Sequence, residues 1–204
     1  MKKEIQEAHM QYRKGCELVN QNLFVEAEKY LRKAVKLNFN NADYQFDLGA
    51  CLADQGRYIE AEPFFRKAVK LSPENADFQF GLGTSLFAQH RYTEAEPYYC
   101  KATELNLNSA EFQYYLGVCL CLGCGLDCIK AEPHLRKAAE LKPSKAEFQI
   151  RLGMYLYNQC YFAEALPYFC RAVALEPNNE VFQAWLSECI KVKGIKQGKI
   201  KNVQ

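Results

Sequence analysis

The stretch Asn75–Pro97, NADFQFGLGTSLFAQHRYTEAEP, decides the fold, because the chain writes it again on either side. Asn41–Pro63 reads NADYQFDLGACLADQGRYIEAEP. Ser109 opens SAEFQYYLGVCLCLG, and Lys145 opens KAEFQIRLGMYLYNQCYFAEALP. If each repeat starts at its opening small residue, the starts are Ala8, Ala42, Ala76, Ala110 and Ala146, with a partial unit from Glu180. The spacing is 34 residues, except for 36 between Ala110 and Ala146. A period of this length marks a stacked array, in which length follows repeat number rather than the growth of one central core.

Each repeat carries two helical patterns. In the third, Phe78, Leu82, Leu86 and Phe87 recur at helical spacing, then Gln89-His90-Arg91 breaks the pattern. Ala95, Tyr98, Tyr99, Ala102 and Leu105 form the second helix. The repeats end in Asn-rich or Pro-containing punctuation, where Pro73, Pro143 and Pro177 cannot extend a helix. Prolines also stand early in the second helices, at Pro63, Pro97, Pro133 and Pro167, near a first turn that tolerates them.

Small residues predict how the helices meet. Gly49, Gly83, Gly117 and Gly153 share one mid-helix position. Glycine there costs about 1 kcal/mol of helix propensity against alanine, so its recurrence predicts close helix–helix approach. Two alanine rows face it: Ala27, Ala61, Ala95, Ala131 and Ala165, then Ala34, Ala68, Ala102, Ala138 and Ala172.

Charge is nearly balanced, with 26 Lys and Arg against 24 Asp and Glu, which argues against nucleic acid or a membrane surface as partner. No apolar run is long enough to span a bilayer. The N-terminal MKKEIQEAHMQYRKG has no apolar stretch behind its basic residues, so a cytoplasmic protein with reduced thiols is expected despite 10 cysteines.

The pattern resembles the tetratricopeptide repeat family. The second repeat supplies Leu48-Gly49, Leu52, Ala61, Phe65, Ala68 and Pro73; the fifth supplies Leu152-Gly153, Leu156, Ala165, Phe169, Ala172 and Pro177. The resemblance covers Ala8 to about Val192. It implies an all-α, right-handed superhelical solenoid of antiparallel helix pairs: one array over residues 1–193, with repeats at 8–41, 42–75, 76–109, 110–145 and 146–179, a capping helix at 180–193, and a flexible basic tail at 194–204. Trp185 is expected to cover the end of the last repeat. The chain departs from the family where Gln45, Gln79, Gln113 and Gln149 replace the usual large residue, with Tyr44, Phe78, Phe112 and Phe148 one place earlier. Lys14 stands where the later repeats have Leu.

No phosphate loop, HExxH motif or nucleophile elbow is present, and His9, His90 and His134 fall in different repeats. No catalytic residue, metal or cofactor is expected. The alternative is a metal or redox module at Cys119, Cys121, Cys124 and Cys128, around the insertion that lengthens the fourth repeat. Against it, Cys119 shares a position with Cys51 and Cys189, where a small buried residue fits.

The resemblance also implies that the first helices line a concave groove. Its fifth position gives Tyr12, Phe46, Phe80, Tyr114 and Ile150; the ninth includes Thr84, Val118 and Met154; the twelfth includes Phe87 and Tyr157. An acidic rim follows at the second position, with Asp43, Asp77, Glu111 and Glu147. The same aromatics also suit packing between neighbouring repeats. The family's carboxylate clamp needs Lys and Asn where this chain has aromatic or apolar residues. Its asparagine ladder is also missing, since the sixth position holds Arg13, Asp47, Gly81, Tyr115 and Arg151. The function expected is a scaffold or adaptor holding an apolar or amphipathic peptide or helix of another protein. A secretion-type chaperone is the further alternative. The oligomeric state stays open.

Overall fold

A computed structural model describes residues 2–123 and 129–201. Every regular element among them is an α-helix, and there are 11. The chain forms two compact units, residues 1–106 and 107–204. The first unit holds α1 (Lys2–Asn20), α2 (Phe24–Leu37), α3 (Ala42–Asp54), α4 (Tyr58–Leu71), α5 (Ala76–Ala88) and α6 (Tyr92–Leu105). The second holds α7 (Ala110–Gly123), α8 (Ala131–Leu141), α9 (Ala146–Asn158), α10 (Phe162–Leu175) and α11 (Glu180–Lys201). Within each unit, helices adjacent in sequence pack against one another as stacked hairpins. The α11 backbone stays helical past residue 193, through Gly194 to Lys201.

Local chemistry sets the boundaries. Asn75 caps α5, its side chain accepting from the Asp77 and Phe78 amides at 3.0 and 3.2 Å; Asn41 and Ser109 do the same for α3 and α7. The turns inside the first, second, third and fifth hairpins close on a left-handed residue: Asn22, Gly56, His90 and Cys160 have φ of 59°, 75°, 60° and 63°. The next amide reaches back five residues, as from Arg91 to the Leu86 carbonyl at 3.1 Å. Pro63, Pro97 and Pro167 stand at the sixth residue of their helices, deeper than the first turn. Each therefore removes one helical hydrogen bond, and the exposed position lets water solvate the orphaned carbonyl.

The predicted close approach is present. A Cβ on Gly83 would lie 2.9 Å from the Tyr99 ring, one on Gly153 2.8 Å from Phe169, and one on Gly117 2.7 Å from Leu135. Gly15 belongs to the same row, against Leu31. Both alanine rows are fully buried. Trp185 closes the second unit as expected, stacked 6.0 Å from Phe169 and edge-on to Tyr157 at 5.5 Å.

The glutamines that replace the family's large residue are buried and hold backbone. The Gln45 Nε2 donates to the Phe39 carbonyl at 2.7 Å, Gln79 to Pro73 at 2.7 Å and Gln113 to Leu107 at 3.1 Å. Each satisfies a loop carbonyl just ahead of its own helix, a role no apolar residue fills. Gln149 departs from this and donates instead to Ala139 in α8.

Candidate functional site

Three fifth-position residues, Tyr12, Phe46 and Tyr114, sit at junctions between repeats. In the first unit the Tyr12 ring stacks on Tyr44 at 4.5 Å, and Phe46 meets Phe78 at 4.9 Å and Phe65 at 5.5 Å. Phe80 lies 5.5 Å from Tyr99. Tyr12, Phe46 and Phe80 are only half-buried, so each ring joins neighbouring helices and still presents an edge. Gly81 makes room for this: a Cβ there would come within 2.7 Å of Phe46. Thr84 and Phe87 are half-buried on α5; Thr84 accepts from the Tyr99 hydroxyl at 3.3 Å, and Phe87 packs edge-on to Tyr92 at 5.1 Å.

The second unit differs. Tyr114 stacks on Phe148 at 4.6 Å, the same junction geometry, but Tyr114, Val118 and Ile150 are buried, at 4%, 5% and 6% exposure. They present almost no surface. Met154 and Tyr157 remain half-buried. Met154 lines a cavity of about 130 Å³ with Cys121, Leu122 and Arg151, and Tyr157 packs on Phe162 and Trp185.

The acidic residues are not one uniform rim. Asp43 and Asp77 are exposed on α3 and α5. Glu111 is ion-paired with Lys142. Glu147 accepts a hydrogen bond from the Tyr114 hydroxyl at 2.8 Å; burial pushes that hydroxyl up to about 12, so it stays a donor. The parallel bond in the first unit runs from the Tyr12 hydroxyl to Asp47 Oδ2, at 2.6 Å. Burial raises the Asp47 carboxyl above the ordinary range, and Tyr12 pulls the other way. Asp47 entered the sequence reading only as the residue that breaks an asparagine ladder. Its position gave no sign that it would be half-buried.

On the second helices, Glu28–Arg32, Glu62–Arg66 and Glu132–Arg136 pair at 2.7, 2.7 and 2.8 Å. In the first unit each of these glutamates also latches the next repeat. Glu28 binds Arg57 at 2.6 Å, and Glu62 binds Arg91 at 2.7 Å. The latch leaves both glutamate side chains only 13% exposed.

The described cysteines are thiols. Cys51 and Cys189 are buried, and their Sγ atoms donate to the Phe24 and Phe162 carbonyls at 3.3 and 3.4 Å; Ser85 makes the same bond to Tyr58 at 2.9 Å. At these three places the position holds a small hydrogen-bond donor and not merely a small residue, whereas the fifth repeat buries Tyr155 there. Cys124 and Cys128 lie outside the described residues, and among those described no cluster of metal-ligating side chains is found. No helix among them is long and apolar enough to cross a membrane.

Stacked helical hairpins with these small-residue rows define a helical-repeat protein. Tetratricopeptide repeat models match residues 12–76 and 52–114, together half of the chain, and the chain belongs to the tetratricopeptide repeat family. No curated protein matches it. Among solved structures it is similar to YrrB, described as a TPR protein with an unusual peptide-binding site, at 25% identity over 85% of this chain and 89% of that one, TM-score 0.73. MamA from Desulfovibrio magneticus RS-1 matches at 22% identity over 85% of this chain and 97% of that one, TM-score 0.77. PilF of Pseudomonas aeruginosa matches at 18% over 95% and 87%, TM-score 0.79. The last two share the fold. The family and the fold are those of a protein-interaction scaffold.

Proposed function

We propose that this scaffold holds a segment of another protein against the first helices of its first unit, α1, α3 and α5, without catalysing a reaction. Tyr12, Phe46, Phe80, Thr84 and Phe87 make the contact, with Asp43 and Asp77 beside them. In the second unit, Met154 and Tyr157 are the groove positions that stay half-buried and open to a partner, while Glu111 and Glu147 are engaged with Lys142 and Tyr114. The observation that carries this reading is the half-burial of the Tyr12, Phe46 and Phe80 rings. A ring locked by its neighbours has already lost its rotamer freedom, so binding against its free edge costs little further entropy. Fixed aromatic anchors are the residues that dominate interface energies. The similarity to YrrB supports a peptide as the ligand class.

The test is selection of a phage-displayed random-peptide library on the whole chain, followed by affinity measurements. Phe46→Ala with Phe80→Ala is expected to weaken the selected peptides by about 2 kcal/mol or more. Tyr98→Ala, on α6, is expected to leave them unchanged. The reverse pattern would refute the assignment.

A further inference from the structure

A cavity of about 190 Å³ opens in the first unit beside Asp47, lined also by Cys16, Val19, Leu31 and Ala50. It is several water volumes in size. Apart from Asp47 and Asn20 its lining is apolar or thiol. The Tyr12 hydroxyl donates to Asp47 Oδ2 at 2.6 Å, and the Cys16 thiol lies 3.8 Å from the same oxygen. Among the described residues no donor reaches Oδ1 and no cation pairs with Asp47. Asp43, one turn earlier on α3, adds a second, exposed carboxylate. The corresponding positions in the other repeats are Arg13, Gly81, Tyr115 and Arg151, so the second repeat alone puts an acid there.

A half-buried carboxylate without a cation is unfavourable unless something completes it. The two donors on Oδ2 hold the group in one orientation and leave the other oxygen available. An apolar cavity next to a fixed carboxylate suits a side chain with an aliphatic stem and a cationic head. We infer that the bound segment places a lysine or arginine on Asp47, its stem in the cavity beside Val19 and Ala50. This rests on the groove reading above and names the partner's chemistry: a segment with apolar residues for Phe46 and Phe80 and one basic residue for Asp47. Such a charged contact sets register as well as affinity.

The experiment uses peptides selected on the wild-type chain from the random library. They are expected to share a Lys or Arg at one fixed position. Asp47→Asn should weaken them at least about tenfold, and replacing that basic residue by norleucine should weaken binding to the wild type equally. The norleucine peptide should then bind wild type and Asp47→Asn alike, since the interaction is already gone. If Asp47→Asn binds at wild-type strength while Phe46→Ala with Phe80→Ala still weakens binding, the groove stands and the basic anchor is overturned. If the selected peptides ignore Phe46 and Phe80, both readings fall. Should Asp47→Asn not fold, the peptide side decides alone: equal affinity of the basic and norleucine peptides for the wild type overturns the inference.

Discussion

The centroids of Phe46 and Phe78 lie 4.9 Å apart, yet Phe46 keeps an open edge while Phe78 is buried. One ring thus serves the repeat junction and the candidate binding face together. Truncating it must show in both. Phe46→Ala is expected to lower stability by about 2 kcal/mol, below the cost of a fully buried Phe, and to leave a helical, cooperatively unfolding protein. Urea unfolding followed by circular dichroism checks this. A cost near zero would mean the ring packs against nothing.

Gly83 gives a sharper packing test. Its added Cβ would meet Tyr99, fully buried, at 2.9 Å, whereas at Gly49 the corresponding contact with Phe65 is 3.1 Å. Gly83→Ala should destabilise by about 1–3 kcal/mol despite the gain in helix propensity, and Gly49→Ala by less. Denaturant midpoints rank the two, and the opposite order would contradict the packing described.

The latch predicts a pH dependence. Burial alone would raise the Glu62 carboxyl; hydrogen bonds from Gln89, Arg66 and Arg91 outweigh it and hold the group below the ordinary range. The unfolded chain takes up this proton near pH ~4.3, the folded chain only at lower pH. The stabilisation is therefore complete above that value and is lost as pH falls through the folded value. Glu62→Gln should cost about 1 kcal/mol at neutral pH, and the difference from wild type should shrink below pH ~4. Urea melts at the two pH values measure it.

Thiol reactivity reads out the helix faces. Cys160 and Cys170 are exposed and Cys100 is half-buried, while Cys51, Cys119 and Cys189 are buried. Burial raises the Cys51 thiol and keeps it protonated and inert. A maleimide should label Cys160 and Cys170 first, Cys100 more slowly and the buried three only after unfolding, as mapped by mass spectrometry. Labelling of Cys51 ahead of Cys170 would contradict the arrangement.

Much of the fold was legible because it is written in period. The glycine and alanine rows mark close approach wherever they fall, so their recurrence announces helix packing without any long-range inference. What stayed hidden depends on atoms brought together across repeats. Gln45 and Gln79 read as departures from a family pattern; only the structure shows their amides on the Phe39 and Pro73 carbonyls. Cys51 read as a small filler, because nothing in sequence links it to a carbonyl 27 residues away. Groove positions carried over by register put Phe46 and Tyr114 in one class. Burial separates them, since register fixes the direction of a side chain but not how completely its neighbours cover it.

The most direct test of the central claim is to map where a bound segment lies. A selected peptide carrying a photoreactive phenylalanine analogue is bound to the whole chain and irradiated, and the attached residues are identified by mass spectrometry. The account predicts cross-links on α1, α3 and α5, at Tyr12, Phe46, Phe80, Thr84 or Phe87. Cross-links confined to the second helices, at Tyr30, Phe64 or Tyr98, would contradict it.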